Sequence, residues 1–229
     1  VKCISALSVG AMIVLGSLPA HAIMLDQVDD FESGTTAGWA EGGGSPNKPV
    51  NIANGGLLGA GDNYLENVSA TSGPGGAMVM FNLAQWTGDY NTAGVGLIEA
   101  DMANLGANPL FMRLAIEHDD PVPTKYGSTN AVMLPADGVW RHVSFSLNSS
   151  AMTVLGAQSN PPSLAQVLDD VKLLRILSAE NEPAFSGDVI AGTLGADNIH
   201  ALPEPSTVAT FVVAIMCLAR RRRDRVHIS

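Results

Sequence analysis

The chain has almost no cysteine. Two of its 229 residues are Cys, at Cys3 and Cys217, and both fall in terminal segments. Residues 23–202 can therefore form no disulfide, hold no thiol nucleophile and supply no thiolate to zinc or an iron–sulfur cluster. Histidine is scarce too: of five, His118, His142 and His200 lie in that stretch. Neither a G-x-S-x-G elbow nor an H-E-x-x-H pair occurs, which removes two common hydrolase designs. Aromatic residues make up 5%, which argues against a broad stacking platform. Positive charge is the last shortage. Of 12 Lys and Arg, Lys2 and five C-terminal arginines lie outside 23–202, leaving six; of 22 Asp and Glu, Glu204 and Asp224 lie outside, leaving twenty. The central stretch is thus near −14, which excludes nucleic-acid binding and suits an oxygen-ligated cation such as calcium.

What is present begins with the two ends. Lys2, the apolar run Ile4–Leu18 and Ala20-His21-Ala22 form a secretory signal with an A-x-A cleavage site. The signal predicts passage through the Sec translocon and a mature chain starting near Ile23. Cys3 comes too early to be a lipoprotein cysteine. At the other end Pro203-Glu204-Pro205 precedes an apolar run, Thr207–Ala219, and a basic block, Arg220, Arg221, Arg222, Arg223 and Arg225. As a helix the apolar run measures roughly 20 Å, short of the ~20 residues of a comfortable span. The arginines act as a stop-transfer and stay cytoplasmic.

In its order and position this tail resembles the PEP-CTERM sorting signal. The resemblance implies a transient membrane helix and cleavage near the motif by an exosortase. It also implies delivery to the cell surface or the exopolysaccharide matrix. The alternative is a plain single-pass anchor. Either way the expected organisation is signal (1–22), exported domain (23–202) and sorting tail (203–229).

Between the signals the pattern is all-β. Leu110–His118 alternates cleanly, with Leu110, Met112, Leu114 and Ile116 on one face and Phe111, Arg113, Ala115 and Glu117 on the other. Val143, Phe145 and Leu147 share a face, and Trp140 has the wrong parity for it, so that it lies at a bulge or looks outward. Further strands are expected at Ile23–Phe31, Asn63–Ser69, Ala77–Leu83, Ala93–Met102, Ser128–Leu134, Val171–Leu177 and Gly192–Ala201. Gly34–Pro49, Gln85–Tyr90 and Asp119–Gly127 read as loops. Gly42-Gly43-Gly44 is followed by no Lys-Ser/Thr, so it is loop and not a phosphate cradle. One helix is expected at Ser163–Asp170, opened by a Ser163/Gln166 capping box. Seven to ten short strands with one short helix describe an antiparallel β-sandwich.

Asp29-Asp30-Phe31-Glu32, Gly38-Trp39, Gly61-Asp62-Asn63-Tyr64-Leu65, Trp86-Thr87-Gly88-Asp89-Tyr90, Asp137-Gly138-Val139-Trp140 and Asp197-Asn198-Ile199 together resemble the galactose-binding-like jelly rolls. Carbohydrate-binding modules share that fold. The resemblance implies a structural calcium between the first and last strands, held by Asp30, Glu32, Asp62 and Asp197. As aromatic residues, Trp39, Trp86, Tyr90, Tyr126 and Trp140 are the sugar-stacking candidates, and each is equally a candidate for the core of a sandwich this size. His118-Asp119-Asp120 lies in a proline-bearing loop, where neighbouring residues need not converge on a metal. The resulting expectation is a non-enzymatic structural or adhesive surface protein with no catalytic residues. The alternative is a module that binds extracellular polysaccharide, and a glycoside hydrolase stands third.

Overall fold

The computed structural model describes residues 22–119 and 123–205. Along them run β1 (Val28–Asp29), β2 (Trp39–Ala40), β3 (Val50–Ile52), β4 (Tyr64–Ser69), β5 (Val79–Asn82), α1 (Tyr90–Ala93), β6 (Leu97–Asn104), β7 (Leu110–His118), β8 (Thr124–Ser128), β9 (Val132–Leu134), β10 (Arg141–Ser146), β11 (Met152–Leu155), α2 (Leu164–Leu168), β12 (Leu173–Ser178) and β13 (Gly192–Leu202). The strands form an antiparallel sandwich. The first sheet runs β10-β6-β13-β4-β3, with β1 also on β13; the second runs β11-β8-β7-β12-β5-β2, with β9 also on β7.

The alternating pattern decides which side chains meet between the sheets. Leu110, Met112, Leu114 and Ile116 of β7 are fully buried beside Met80, Leu174 and Ile176 of the second sheet. Leu65, Ile98, Met102, Val143, Phe145, Leu194 and Ala196 come from the first. α2 forms where the capping box predicts it: Ser163 Oγ accepts from the Gln166 amide, and the Gln166 side chain accepts from the Ser163 amide. Leu164, Val167 and Leu168 are its buried face.

Several boundaries differ from the sequence reading, each for a local reason. The expected strand Ile23–Phe31 shrinks to β1, because Asp26 and Phe31 take positive φ (62° and 57°) and break the extended chain on both sides. Gln85–Tyr90 leads into a second short helix, α1, because the Asp89 side chain caps the Thr92 amide. Of the expected strand Ser128–Leu134 only Val132–Leu134 is a separate strand, β9, and Ser128 closes β8. β8 lies in what reads as loop, since Thr-Lys-Tyr-Gly-Ser has no apolar alternation and owes its conformation to pairing with β7. β2, β3 and β11 were not expected either. The first and last strands among the described residues pair, with Val28 opposite His200 and Asp29 opposite Ile199.

Among the described residues no helix is long and apolar enough to cross a membrane. Residues 1–21 of the expected signal segment (1–22), the apolar run Thr207–Ala219 and the arginines Arg220–Arg223 lie outside the described residues. Pro203, Glu204 and Pro205 lie inside, leaving β13 beside Gly96 and Asn148, whose side-chain amide donates to the Glu204 carboxylate.

Candidate functional site

Three of the five aromatic candidates are core. Trp39 and Trp86 are 2% and 0% exposed, and Tyr90 is fully buried. The indole N–H groups of Trp39 and Trp86 both donate to Asp29 Oδ2, at 2.7 and 2.6 Å, and Gln85 Nε2 reaches the same carboxylate. Burial raises the Asp29 carboxyl above its usual range, and the two indole bonds oppose that. The Tyr90 hydroxyl donates to Trp86 O, and burial alone pushes its pKa up. These rings are structural pillars with no face for a sugar. Tyr126 also packs on the core, its hydroxyl donating to Pro162 O. Trp140 looks outward: it lies over Gly195 on the outer face of the first sheet, where a Cβ would come within 3.0 Å of its ring. It meets Tyr64 edge-on at 5.5 Å and donates its N–H to Gly55 O.

The four acids expected to hold calcium do not assemble into one shell. Asp30 Oδ1 accepts from the Glu32 amide, Glu32 Oε1 from the Asn63 amide and Asp62 Oδ2 from the Leu58 amide. Asp30 and Asp62 are thereby turned toward their own loops, and Glu32 toward the turn before β4. Among the described residues no three His, Cys, Asp or Glu converge as a metal site. Asp197 is the exception to simple satisfaction. It is 1% exposed, and its Oδ2 finds no hydrogen-bond partner among the described residues. Burial first, then the nearby charges of Asp62 and Asp101, raise its pKa to about 6. A buried carboxyl between two carboxylates relieves the repulsion by keeping its proton.

The better-built site lies on the outer face of the second sheet. In the antiparallel register of β12 with β5, Arg175 stands directly opposite Phe81, and its guanidinium lies 5.7 Å from that ring. Beside this pair a pocket of about 260 Å³ is walled by Phe81, Val79, Arg175, Glu41, Gly42 and the glycine turn Gly73–Gly76. Glu41, the residue after β2, is 5% exposed. Its Oε2 accepts from Ser45 Oγ, while Oε1 has no partner among the described residues. Burial raises its pKa, against the pull of Ser45 and Asn67. Arg175 Nε is likewise buried without a partner there, while its Nη1 donates to Phe185 O. The pocket thus joins one aromatic ring, a buried carboxylate that Ser45 and Asn67 approach, and a guanidinium whose Nε has no partner among the described residues. Buried polar atoms of that kind call for a ligand or water. Among the described residues lining it, Glu41 is the one carboxylate, so it lacks the carboxylate pair that glycoside hydrolysis uses.

Sequence reasoning missed Glu41, Phe81 and Arg175. Strand parity could have put Phe81 and Arg175 on outward faces. Nothing short of the register could have put them opposite one another.

No protein-family model matches the chain, and no curated protein matches it. Solved structures do. In an exo-β-agarase the superposition covers 80% of this chain and 25% of that one, at 13% identity and a TM-score of 0.50. The carbohydrate-binding module CtCBM11 in solution gives 80% and 98% at 15% identity and 0.50. A family 11 carbohydrate-binding module from Clostridium thermocellum, in complex with a β-1,3-1,4-mixed-linked tetrasaccharide, gives 79% and 96% at 15% identity and 0.48. This chain therefore spans a quarter of the agarase and nearly all of the isolated module. At such identities the likeness establishes a shared fold: the antiparallel β-sandwich of carbohydrate-binding modules.

Proposed function

We propose that this domain is a non-catalytic carbohydrate-binding module acting outside the cytoplasm, and that the pocket at Phe81, Arg175 and Glu41 is its sugar site. The observation that carries this reading is the pocket's composition. A pyranose offers an apolar C–H face and a rim of hydroxyls. Phe81 presents a ring for the first; the Glu41 carboxylate and the Arg175 guanidinium in the same wall supply an acceptor and a donor for the second. Small-ligand sites pair an apolar wall with a few orienting polar groups. The fold shared with carbohydrate-binding modules is compatible with this and does not establish it.

The terminal segments support a setting for that binding. The A-x-A site, the Pro203-Glu204-Pro205 motif, the short apolar run and the arginine block are consistent with Sec export and exosortase sorting to a polysaccharide-bearing surface. There a glycan module would serve adhesion or matrix structure.

The test is a glycan array probed with the wild-type protein and with Phe81→Ala and Glu41→Gln. The expected result is a restricted set of positive glycans, each weakened about tenfold or more by either change, with circular dichroism unaltered. Binding that survives both substitutions would move the site elsewhere. An empty array would refute the glycan reading.

A further inference from the structure

The outer face of the second sheet is not an open groove. The segment joining β12 to β13, residues 179–191, crosses it as a strap. It leaves β12 held by Arg113, whose guanidinium donates to Ala179 O and Glu180 O from one side and to Ser128 O and Thr129 O of the β8 end on the other. It passes over β8 at Gly127, where a Cβ would come within 3.3 Å of Ala184 O. Ala184 and Phe185, together with Leu155 and Val79, pack against the buried Ala115, Leu177 and Ala179. Phe185 is then clamped by two cations, Arg175 at 3.8 Å and Lys125 at 4.2 Å from its ring centre. The strap returns to the end of β12 and the residue before β5, where Asp188 N donates to Ser178 O and Met78 N to Asp188 O. Gly187 lies so close to β5 that a Cβ would stand 2.0 Å from Met78 O. The crossing is tied to the sheet at both ends and at Ala184 and Phe185 in its middle.

A polysaccharide laid across the strands would have to occupy the same surface. What the strap leaves is the pocket at the β5–β12 end, bounded by Arg175, by Phe81 and by the Gly42 and Gly73–Gly76 loops. Its volume is near the lower limit for small-molecule sites, roughly 300 Å³. We infer, resting on the glycan reading above, that this site takes one terminal or branch sugar entering end-on, and not an internal stretch of a chain. In such a mode the first ring fills the contacts and later rings add little. Ligand capacity then follows the number of chain ends and not the mass of polymer.

The experiment uses oligosaccharide ladders, from mono- to hexasaccharide, of β-1,4-glucan, β-1,3-1,4-glucan, β-1,4-xylan and agarose, titrated calorimetrically into the protein. The polymer of the best series is also used in pull-down, before and after partial acid hydrolysis. The expected result is a Kd that changes by less than about threefold between disaccharide and hexasaccharide, and retention per milligram of polymer that rises after hydrolysis. A Kd that keeps tightening, by about tenfold or more over the ladder, or retention that falls after hydrolysis, overturns the end-on mode while leaving glycan binding intact. No binding to any ladder overturns the glycan reading itself, and this inference with it.

Discussion

Replacing Asp197 by Asn tests the electrostatics of the first sheet most directly. The native carboxyl is 1% exposed, sits near Asp62 and Asp101, and has a pKa raised to about 6. In the unfolded chain the same group should titrate near the ordinary ~3.9. The folded state therefore holds the proton more tightly, and between the two values it binds more protons than the unfolded state. Stability then falls as pH rises from about 4 to about 6, and is fully reduced above that. A shift of about two units at ~1.36 kcal/mol each amounts to about 3 kcal/mol. Asn cannot ionise. Its carbonyl can keep the bond that Asp197 Oδ1 accepts from the Asn198 amide, and it adds no charge beside Asp62 and Asp101. Urea unfolding of both proteins at several pH values from 4 to 8, in EDTA, is the assay. The variant should match wild type near pH 4 and exceed it by about 3 kcal/mol at pH 7.5. A variant that parallels wild type throughout, or is the weaker at pH 7.5, refutes the neutral-carboxyl account. Repeating the series in millimolar calcium examines the cation expected from the sequence. If calcium raises wild type at pH 7.5 and leaves the variant unmoved, a bound ion, not a proton, offsets the three carboxylates.

Other outcomes follow from single contacts. Asp29→Ala orphans the buried N–H groups of Trp39 and Trp86; at ~1–3 kcal/mol per unsatisfied group, urea unfolding should show a loss of about 3 kcal/mol, and a loss below ~1 would mean the indoles find other partners. His142 Nδ1 lies 3.1 Å from Asp101 and Nε2 3.1 Å from Glu99, chiefly Asp101 raising its pKa. NMR titration should place it above the ordinary ~6.5 and Asp101→Asn should lower it. Because the folded value is the higher, its contribution to stability is complete below the unfolded pKa and disappears as pH rises through the folded one. Processing is checked by mass spectrometry of the surface-exposed protein from a host with an exosortase: no peptide beyond about residue 207 is expected, and recovery of intact Arg220–Arg223 would favour the plain anchor.

Much of the fold was legible in the residues because β structure writes its own period. Leu110, Met112, Leu114 and Ile116 had to share a face whatever they packed on, and Ser163 with Gln166 marked a helix start by local hydrogen bonding alone. The scarcity of cysteine and histidine removed whole classes of chemistry without any coordinates. Strands with no such pattern stayed hidden. β8 is extended because β7 pairs with it, and pairing is a relation between segments that neither segment encodes by itself.

The site was hidden for the same reason at longer range. Residue type put forward Trp39, Trp86 and Tyr90 as stacking candidates, but a ring reads identically whether it faces solvent or core. Only the tertiary structure shows that Asp29 draws two indoles inward. Asp197 was legible as an acid near the chain's end, and its burial beside Asp62 and Asp101 was not. Phe81 and Arg175 are 94 positions apart, and one antiparallel register brings them face to face. A residue's own chemistry is local and can be read from the chain. Its neighbours, its access to water and therefore its role depend on contacts that exist only after the sheets have closed.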